Sequence, residues 1–376
     1  MREEMATAVA MAAVAALLLW ARRRRHQSTR PVAAVSSGVR LATPADIEWL
    51  AMANAASEHF LMLSSSELDT DQLRLFVLSG PSGEVLAAAQ ILVEPKCLRG
   101  GASAAHVCEV LLNATHASTA SRVALLKALL DEARLAGCYK CIVDAPPAAV
   151  DLLSDLGFEY NSLFLVLPLE ARPTSPGRRL FAAAPSYECK PRPLGVHPRG
   201  CTLEYTLRSL RDEDGPAGYL TLLAQLSQAP MLSERLFRAQ LGKARAARGM
   251  HLVLVVDDPD GAQLPPSRSD PAATRIVACV SILFERLPPS NGLGGLAARI
   301  EDVVVDASAR GTGLGRALIT GACELAAERG ATAATLNCSE ANEPFYRKCG
   351  FARSAGGEAC FARYLTLTGA NSHTDL

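Results

Sequence analysis

One feature constrains this chain more than any other: it repeats itself. Residues His106–Phe158 lie over Arg299–Phe351 without a gap. Val110 falls on Val303, Thr119 on Thr312, Ala124 and Leu125 on Ala317 and Leu318, Ala133 on Ala326, Gly137 on Gly330, and Gly157-Phe158 on Gly350-Phe351. Identity is sparse, but both segments read as apolar strand, short loop, amphipathic helix, glycine turn, strand, helix and Gly-Phe. A fold built from two copies of one unit follows, and 376 residues accommodate two domains with extensions.

The second copy is the more legible. His251–Val256, Ile276–Glu285 and Arg299–Asp306 are apolar or β-branched runs, read as strands. Gly311–Glu328 carries Leu314, Leu318, Ala322 and Leu325 at the spacing of one helix face, and Gly330 stops it. Thr332–Cys338 reads as a strand, Glu340–Cys349 as a short helix and Phe361–Leu367 as a last strand. Ala217–Ala229 and Ser233–Ala247 read as two helices ahead of these. Strands alternating with helices predict an α/β (α+β) class: tandem domains, each a mixed central sheet flanked by helices. The expected organisation is an N-terminal segment over 1–38, a first domain over 39–170, a linker over 171–200, a second domain over 201–368 and a tail over 369–376.

Composition excludes some classes. Lys+Arg and Asp+Glu both number 38, so no basic excess marks a nucleic-acid partner. The 11 cysteines form no disulfide framework, and the lone Cys138-x-x-Cys141 falls on a strand, where a buried apolar role is the ordinary one. Reduced thiols fit the cytosol; no metal is expected. Met5–Ala21 is uncharged and is followed by Arg22–Arg25. It sits near the lower length limit for a single-pass anchor. Charge after the apolar run would keep the rest of the chain on the cytosolic face of an intracellular membrane.

Three motifs carry chemistry. Arg310-Gly311-Thr312-Gly313-Leu314-Gly315, continuing to Arg316, lies between a strand and a helix. Such a turn exposes backbone N–H groups and the positive end of the helix dipole to one anion, and glycine lets the backbone close on a pyrophosphate. The chain lacks the Lys-Ser/Thr pair of a P-loop and the further glycine of a dinucleotide fingerprint. Asn342-x-x-Phe345-Tyr346-x-x-Cys349-Gly350-Phe351 places a phenol on a short helix, where it can act as a general acid or simply fill the core. Glu301-Asp302-Val303-Val304-Val305 sets two acids on neighbouring strand positions, which can bind hydroxyls or an amine at a sheet mouth or merely end a strand in water.

Taken in this order and spacing, these strings, with Asn337-Cys338 and Gly218-Tyr219-Leu220, resemble the GNAT superfamily and, within it, the glucosamine 6-phosphate N-acetyltransferases. The resemblance spans about 205–365. It implies acetyl-CoA as co-substrate, lying between two splayed parallel strands. Val303, Val304 and Val305 would bind pantetheine and polarise the thioester, and Arg310, Gly311, Thr312, Gly313, Leu314, Gly315 and Arg316 would hold the pyrophosphate. Asn337 and Asn342 would line the channel, with Asn337 also near the chemistry, and Tyr346 would protonate the thiolate. Ser227, Glu301, Asp302 and Arg363 would bind the acceptor, glucosamine 6-phosphate.

This chain departs from the family's pattern in the loop before Glu301. There the family's lysine gives way to Leu287-Pro288-Pro289-Ser290, with Arg286 as a substitute. A polyamine, an amino acid or a protein terminus remain alternative acceptors, and a non-catalytic acetyl-CoA-binding scaffold is the alternative outside enzymes. In the first copy Ala117–Arg122 replaces the glycine turn, Leu153 falls on Tyr346, and Cys108-Glu109 replaces the acid pair. It is expected to be a degenerate partner, forming an internal pseudo-dimer or leaving the chain to pair as a homodimer.

Overall fold

The computed structural model describes residues 38–43, 46, 73–112, 118–168, 188–227, 232–246, 251–258, 275–287 and 295–364. The apolar run at 5–21, residues 259–274, much of the inter-copy linker and the tail lie outside them. The described residues fall into two compact units, one drawn from Met1–Val93 with His106–Ala136, the other from Glu94–Ala105 with Gly137–Leu376.

In the first unit, β1 (Val39–Leu41) pairs antiparallel with β2 (Leu73–Ser79), and β2 with β3 (Val85–Pro95). Next come β4 (Ser103–Leu112) and α1 (Thr119–Leu135). Leu125, Leu129 and Ala133 of α1 are fully buried, and Glu132 of α1 pairs with Arg74 of β2. At the position of the second copy's glycine turn, Ser118 caps α1 by accepting from the Ser121 backbone N–H at 3.1 Å. The side chain thus satisfies a donor that a glycine turn would leave for an anion.

The second unit is a mixed sheet. Its strands are β5 (Cys138–Ala145), β6 (Glu159–Pro168), β7 (Arg192–Pro193), β8 (Thr206–Ser209), β9 (His251–Asp258), β10 (Arg275–Leu287), β11 (Gly295–Val305), β12 (Ala333–Cys338), β13 (Ala352–Arg353) and β14 (Ala359–Tyr364). Its helices are α2 (Val150–Asp155), α3 (Leu220–Leu223), α4 (Glu234–Ala246), α5 (Leu314–Glu328) and α6 (Glu343–Lys348). The strand order is β5-β14-β6-β12-β11-β10-β9-β8-β7, with β13 beside β6. β11 and β12 run parallel, whereas β9–β10, β10–β11, β6–β12, β6–β14 and β5–β14 pair antiparallel.

This order crosses the repeat. The last strand of the second copy, β14, lies between β5 and β6, both from the first copy. In return β6, the last strand of the first copy, pairs with β12 of the second. Each copy therefore gives its final strand to the other's sheet. Apolar residues make the exchange favourable: Phe164 and Val166 of β6 bury against Ala333 of β12.

The core beneath β9–β12 gathers Leu252, Leu254, Val280, Ile282, Ala298 and Ile300 with Leu314, Leu318 and Ala322 of α5. The predicted helix face of α5 is thus the buried one. On the opposite side, Leu220, Leu223, Phe237 and Leu241 pack over Val253, Val255 and Cys279. The helix predicted over Ala217–Ala229 is shorter than expected. A π-turn at Gly215–Tyr219, with Gly218 at φ 123°, leads into the four-residue α3. Gly215 leaves no room for a Cβ beside the Phe237 ring.

Candidate active site

The site forms where β11 and β12 part. Their parallel pairing runs from Ala297↔Ala333 to Ile300↔Leu336. Beyond it β11 continues to Val305 and β12 to Cys338, the latter held by β6 instead. A wedge opens at Glu301 on one side and Asn337 on the other.

A bulge sits at the start of that wedge. In the β10–β11 register Cys279 faces Val304 and Ser281 faces Glu301, so Val280 alone stands opposite Asp302 and Val303. Asp302 takes the extra position with φ 50°, a left-handed conformation unusual for a residue with a Cβ. The Cys279 thiol donates to the Asp302 carbonyl at 3.5 Å. An extra residue turns the backbone that follows by one step and increases the local twist of β11.

The glycine turn follows directly. Gly311 and Gly313 have φ 77° and 93°, values that only glycine takes freely, and Gly313 is the N-cap of α5. Thr312 Oγ1 donates to the Ala309 carbonyl at 2.7 Å and accepts from the Leu314 N–H at 3.3 Å. Arg310 is exposed and donates through Nε to the Val305 carbonyl at 3.0 Å, which ties the turn to the end of β11. Arg316 is exposed on the first turn of α5. Gly315 lies under the Phe345 ring, 3.4 Å from where a Cβ would stand. The turn thus stands at the N-terminus of α5, where the first backbone N–H groups have no partner within the helix.

Tyr346 faces inward and Phe345 outward, at 9% and 37% exposure. The Tyr346 ring meets Phe345 and Phe351 edge-on at 5.0 and 6.1 Å between centroids. Burial pushes its phenol above the ordinary value, so it stays protonated and able to donate. α6 is fixed from outside by Glu343, which accepts from Arg353 and Arg347 at 2.8–3.0 Å; those guanidiniums hold its carboxyl down at about 2. Asn342 is exposed at the N-cap of α6.

The acid pair does not end in water. The Glu301 and Asp302 side chains are 15% and 13% exposed, and both face Lys96, which follows β3. Lys96 Nζ stands 2.9 Å from Asp302, 2.6 Å from Glu94 and 3.7 Å from Glu301, and is itself buried. Burial opposes its charge, but the Asp302, Glu94 and Glu301 carboxylates outweigh that and raise its pKa. Lys140 and Tyr139 complete the cluster: the Lys140 ammonium lies 5.6 Å from the Tyr139 ring centre and is raised by Tyr139 and Glu301 against burial.

Asn337 has a tighter role than a channel lining. Arg299 donates through Nη1 to Asn337 Oδ1 at 2.8 Å, through Nε to Glu285 at 3.1 Å, and through Nη2 to Asp144. Asn337 Nδ2 donates to Asp144 Oδ1 at 3.0 Å. Asp144 is the residue that falls on Asn337 when the copies are aligned, so the two meet as counterparts.

Two further predicted acceptor residues sit on other elements. Arg363 is on β14, opposite Cys141 of β5; β14 pairs with β5 and β6, and it is β6 that borders β12. The side chains of Arg363 and Arg286 lie outside the described residues. Ser227 is half-buried in the turn after α3. Its neighbour Gln225 is tied to the end of β11 by donating to Asp306 at 2.8 Å. Glu94, Lys96, Asp144 and Glu285 went unnoticed in the sequence because three of them belong to a copy that lacks the motifs. The available signal was the alignment itself, which sets Asp144 on Asn337.

A parted parallel strand pair, a bulge beside it and a glycine turn opening the next helix define an acetyl-CoA-dependent acetyltransferase of the GNAT type. A sequence profile of the acetyltransferase (GNAT) family matches residues 237–351. The chain is 39% identical to glucosamine 6-phosphate N-acetyltransferase 1 of Oryza sativa subsp. japonica over 148 residues, 39% of this chain and 81% of that one. It is 35% identical to the Trypanosoma brucei brucei glucosamine 6-phosphate N-acetyltransferase over 150 residues, 40% and 90% of the two chains. The chain belongs to the glucosamine 6-phosphate N-acetyltransferase family. Among solved structures, a tandem GNAT protein from the clavulanic acid biosynthesis pathway aligns over 87% of this chain and 98% of that one, at 15% identity and a TM-score of 0.48.

Proposed function

We propose that this chain transfers the acetyl group of acetyl-CoA to the amine of glucosamine 6-phosphate, giving the N-acetylated sugar phosphate for nucleotide-sugar synthesis. The observation that carries the reading is the coincidence of the Asp302 bulge with the point where β11 leaves β12. It sets the acid pair, and the stretch Val303–Val305 that follows it, at one end of the wedge. The pyrophosphate rests on the turn from Arg310 to Arg316, and Asn342 borders the cofactor. The thioester oxygen faces the bulge N–H groups, which stabilise the negative charge as the amine nitrogen adds to the carbonyl carbon. The acceptor ammonium gives one proton to Glu301 or water before its nitrogen adds; the C–S bond then breaks, the phenol of Tyr346 gives its proton to the sulfur, and the proton the nitrogen sheds restores the phenol through water. No acyl-enzyme is needed.

The buried cluster has three carboxylates, Glu94, Glu301 and Asp302, against two ammoniums, Lys96 and Lys140. An acid-rich lining of this kind suits an acceptor that arrives as an ammonium. The exchange of final strands supports the internal pseudo-dimer over a homodimer, because the first copy already supplies a partner's strand. Lys140, which feels the Glu301 charge, and Ser227, in the turn tied to the end of β11, join Arg363 as partners for the sugar phosphate, and the loss of the family's lysine before Glu301 leaves another amine as the second reading. Among the described residues no helix is long and apolar enough to cross a membrane. The run at 5–21 with its following arginines supports a tether that leaves the catalytic copy in the cytosol.

The test is thiol release from acetyl-CoA by the full chain, with glucosamine 6-phosphate, glucosamine and spermidine as acceptors. Turnover with the phosphosugar alone is the expected result. Turnover only with spermidine would replace the acceptor, and acetyl-CoA binding without turnover would favour the scaffold.

A further inference from the structure

Asp302 presents a conformational question as well as a chemical one. Left-handed backbone at φ 50° is disfavoured against extended backbone for a residue with a Cβ, less for Asp than for most, so its persistence depends on what holds it. Reversion here would remove the bulge, since only the extra position of Asp302 lets two residues of β11 face Val280. A one-residue slip turns every later side chain and N–H to the other face, and the Val303–Val305 backbone would leave the wedge.

Lys96 is placed to prevent this. Its ammonium grips the Asp302 carboxylate at 2.9 Å and is braced from behind by Glu94 at 2.6 Å. The segment carrying Lys96 is itself anchored in the catalytic copy. Leu98 is buried with Phe237, Val255, Cys279 and Val304, and Cys97 packs on the same cluster. Three residues further on, the Gly101 carbonyl accepts from Gln240 of α4. A lysine fixed at both its root and its head can impose a conformation on a neighbouring strand, which a flexible surface lysine cannot.

We propose that Lys96 is a positioning residue of the acetyltransferase: it locks Asp302 in the left-handed conformation that creates the β11 bulge. The first copy, although it has lost its own glycine turn and phenol, thereby sets the backbone of the acetyl-CoA site in the second. This rests on the reading of Val303–Val305 as thioester ligands.

Four full-length variants test it: Asp302→Gly, Asp302→Ala, Lys96→Met and Lys96→Met/Asp302→Gly. Acetyl-CoA affinity is read by calorimetry without acceptor, and each protein's thermal transition is recorded. Both Asp302 variants lose the carboxylate and leave the Lys96–Glu94 pair intact, but only glycine adopts φ 50° freely. Acetyl-CoA should bind Asp302→Gly as it binds the parent, and bind Asp302→Ala and Lys96→Met about tenfold more weakly. The double variant should bind like Asp302→Gly, because glycine no longer needs the clamp. Equal affinity in Asp302→Gly and Asp302→Ala, or undiminished affinity in Lys96→Met, would overturn the proposal. So would a double variant as weak as Lys96→Met. Should Lys96→Met not fold, the glycine–alanine contrast still decides whether the left-handed conformation matters, and Lys96→Arg, which keeps the charge, should retain affinity. A parent that binds no acetyl-CoA would instead sink the functional reading. The clamp would then stand or fall on whether Asp302→Ala melts lower than Asp302→Gly.

Discussion

At Tyr346 and His251 burial acts on two titratable groups in opposite ways. For Tyr346 it favours the protonated phenol, the form a general acid needs. Tyr346→Phe keeps the ring contacts with Phe345 and Phe351, so acetyl-CoA affinity should be unchanged while kcat falls about 100-fold. Steady-state kinetics beside calorimetry separates the two; an unchanged kcat would assign the proton to another donor. His251 is fully buried beside Glu94, Lys96 and Asp302, and neither of its ring nitrogens has a hydrogen-bond partner among the described residues. Burial first, with Lys96 adding to it and the Glu94 and Asp302 carboxylates opposing, lowers its pKa from 6.5 to about 4. A depressed folded-state value means that the unfolded chain binds the proton first as pH falls. The contribution is therefore complete above pH 6.5 and is lost between pH 6.5 and about 4, by about 3 kcal/mol. Urea unfolding at pH 7.5 and 4.5 should show this acid loss, and His251→Phe should flatten it.

The elements that matter most here are β5 and β12, whose counterparts Asp144 and Asn337 meet. Two aspartates at that spot would set like charges about 3 Å apart. One asparagine turns the repulsion into an N–H···O bond and leaves Asp144 to pair with Arg299. Asn337→Asp should therefore lower the melting temperature by several degrees, and more at pH 8 than at pH 4, where protonation of one carboxyl relieves the clash. Asp144→Ala should cost more, about 3–5 kcal/mol in denaturant unfolding, because it removes the carboxylate that contributes most to holding the buried Arg299 charge. A loss under 1 kcal/mol would show that Arg299 finds other partners. At this scale much was readable in advance. The strands of the second copy and the buried face of α5 follow from periodicity, with ends shifted by a few residues. The short α3 was not readable, because Leu220–Leu226 has helical apolar spacing while the π-turn at Gly215–Tyr219 answers to the bulk of Phe237, which lies beyond any local window.

Across the whole molecule the consequence of strand exchange is that the catalytic copy is incomplete when cut out by sequence. A fragment spanning 201–376 would leave the edge of β12 uncovered and β14 without β5 or β6. Exposed edges pair with other chains. That fragment should run as an oligomer or aggregate in size-exclusion chromatography with light scattering, and should release no thiol from acetyl-CoA. Co-expression with 38–170 should restore a soluble, active complex. A monomeric, active 201–376 fragment would mean that the exchange is dispensable.

The sequence by itself determined what is local: the repeat, the apolar runs, the glycines at positive φ in the turn before α5, and the phenol on a short helix. These are set by periodicity and by the steric demands of single residues, which neighbours along the chain reveal. Only the tertiary structure decided which copy's strands lie together and which charges face each other. Lys96 and Asp302 are far apart in the chain, as are Asp144 and Asn337, and the two members of each pair come from different copies. Ion pairs and exchanged strands are selected by burial after the chain has folded back on itself, and no periodicity records them.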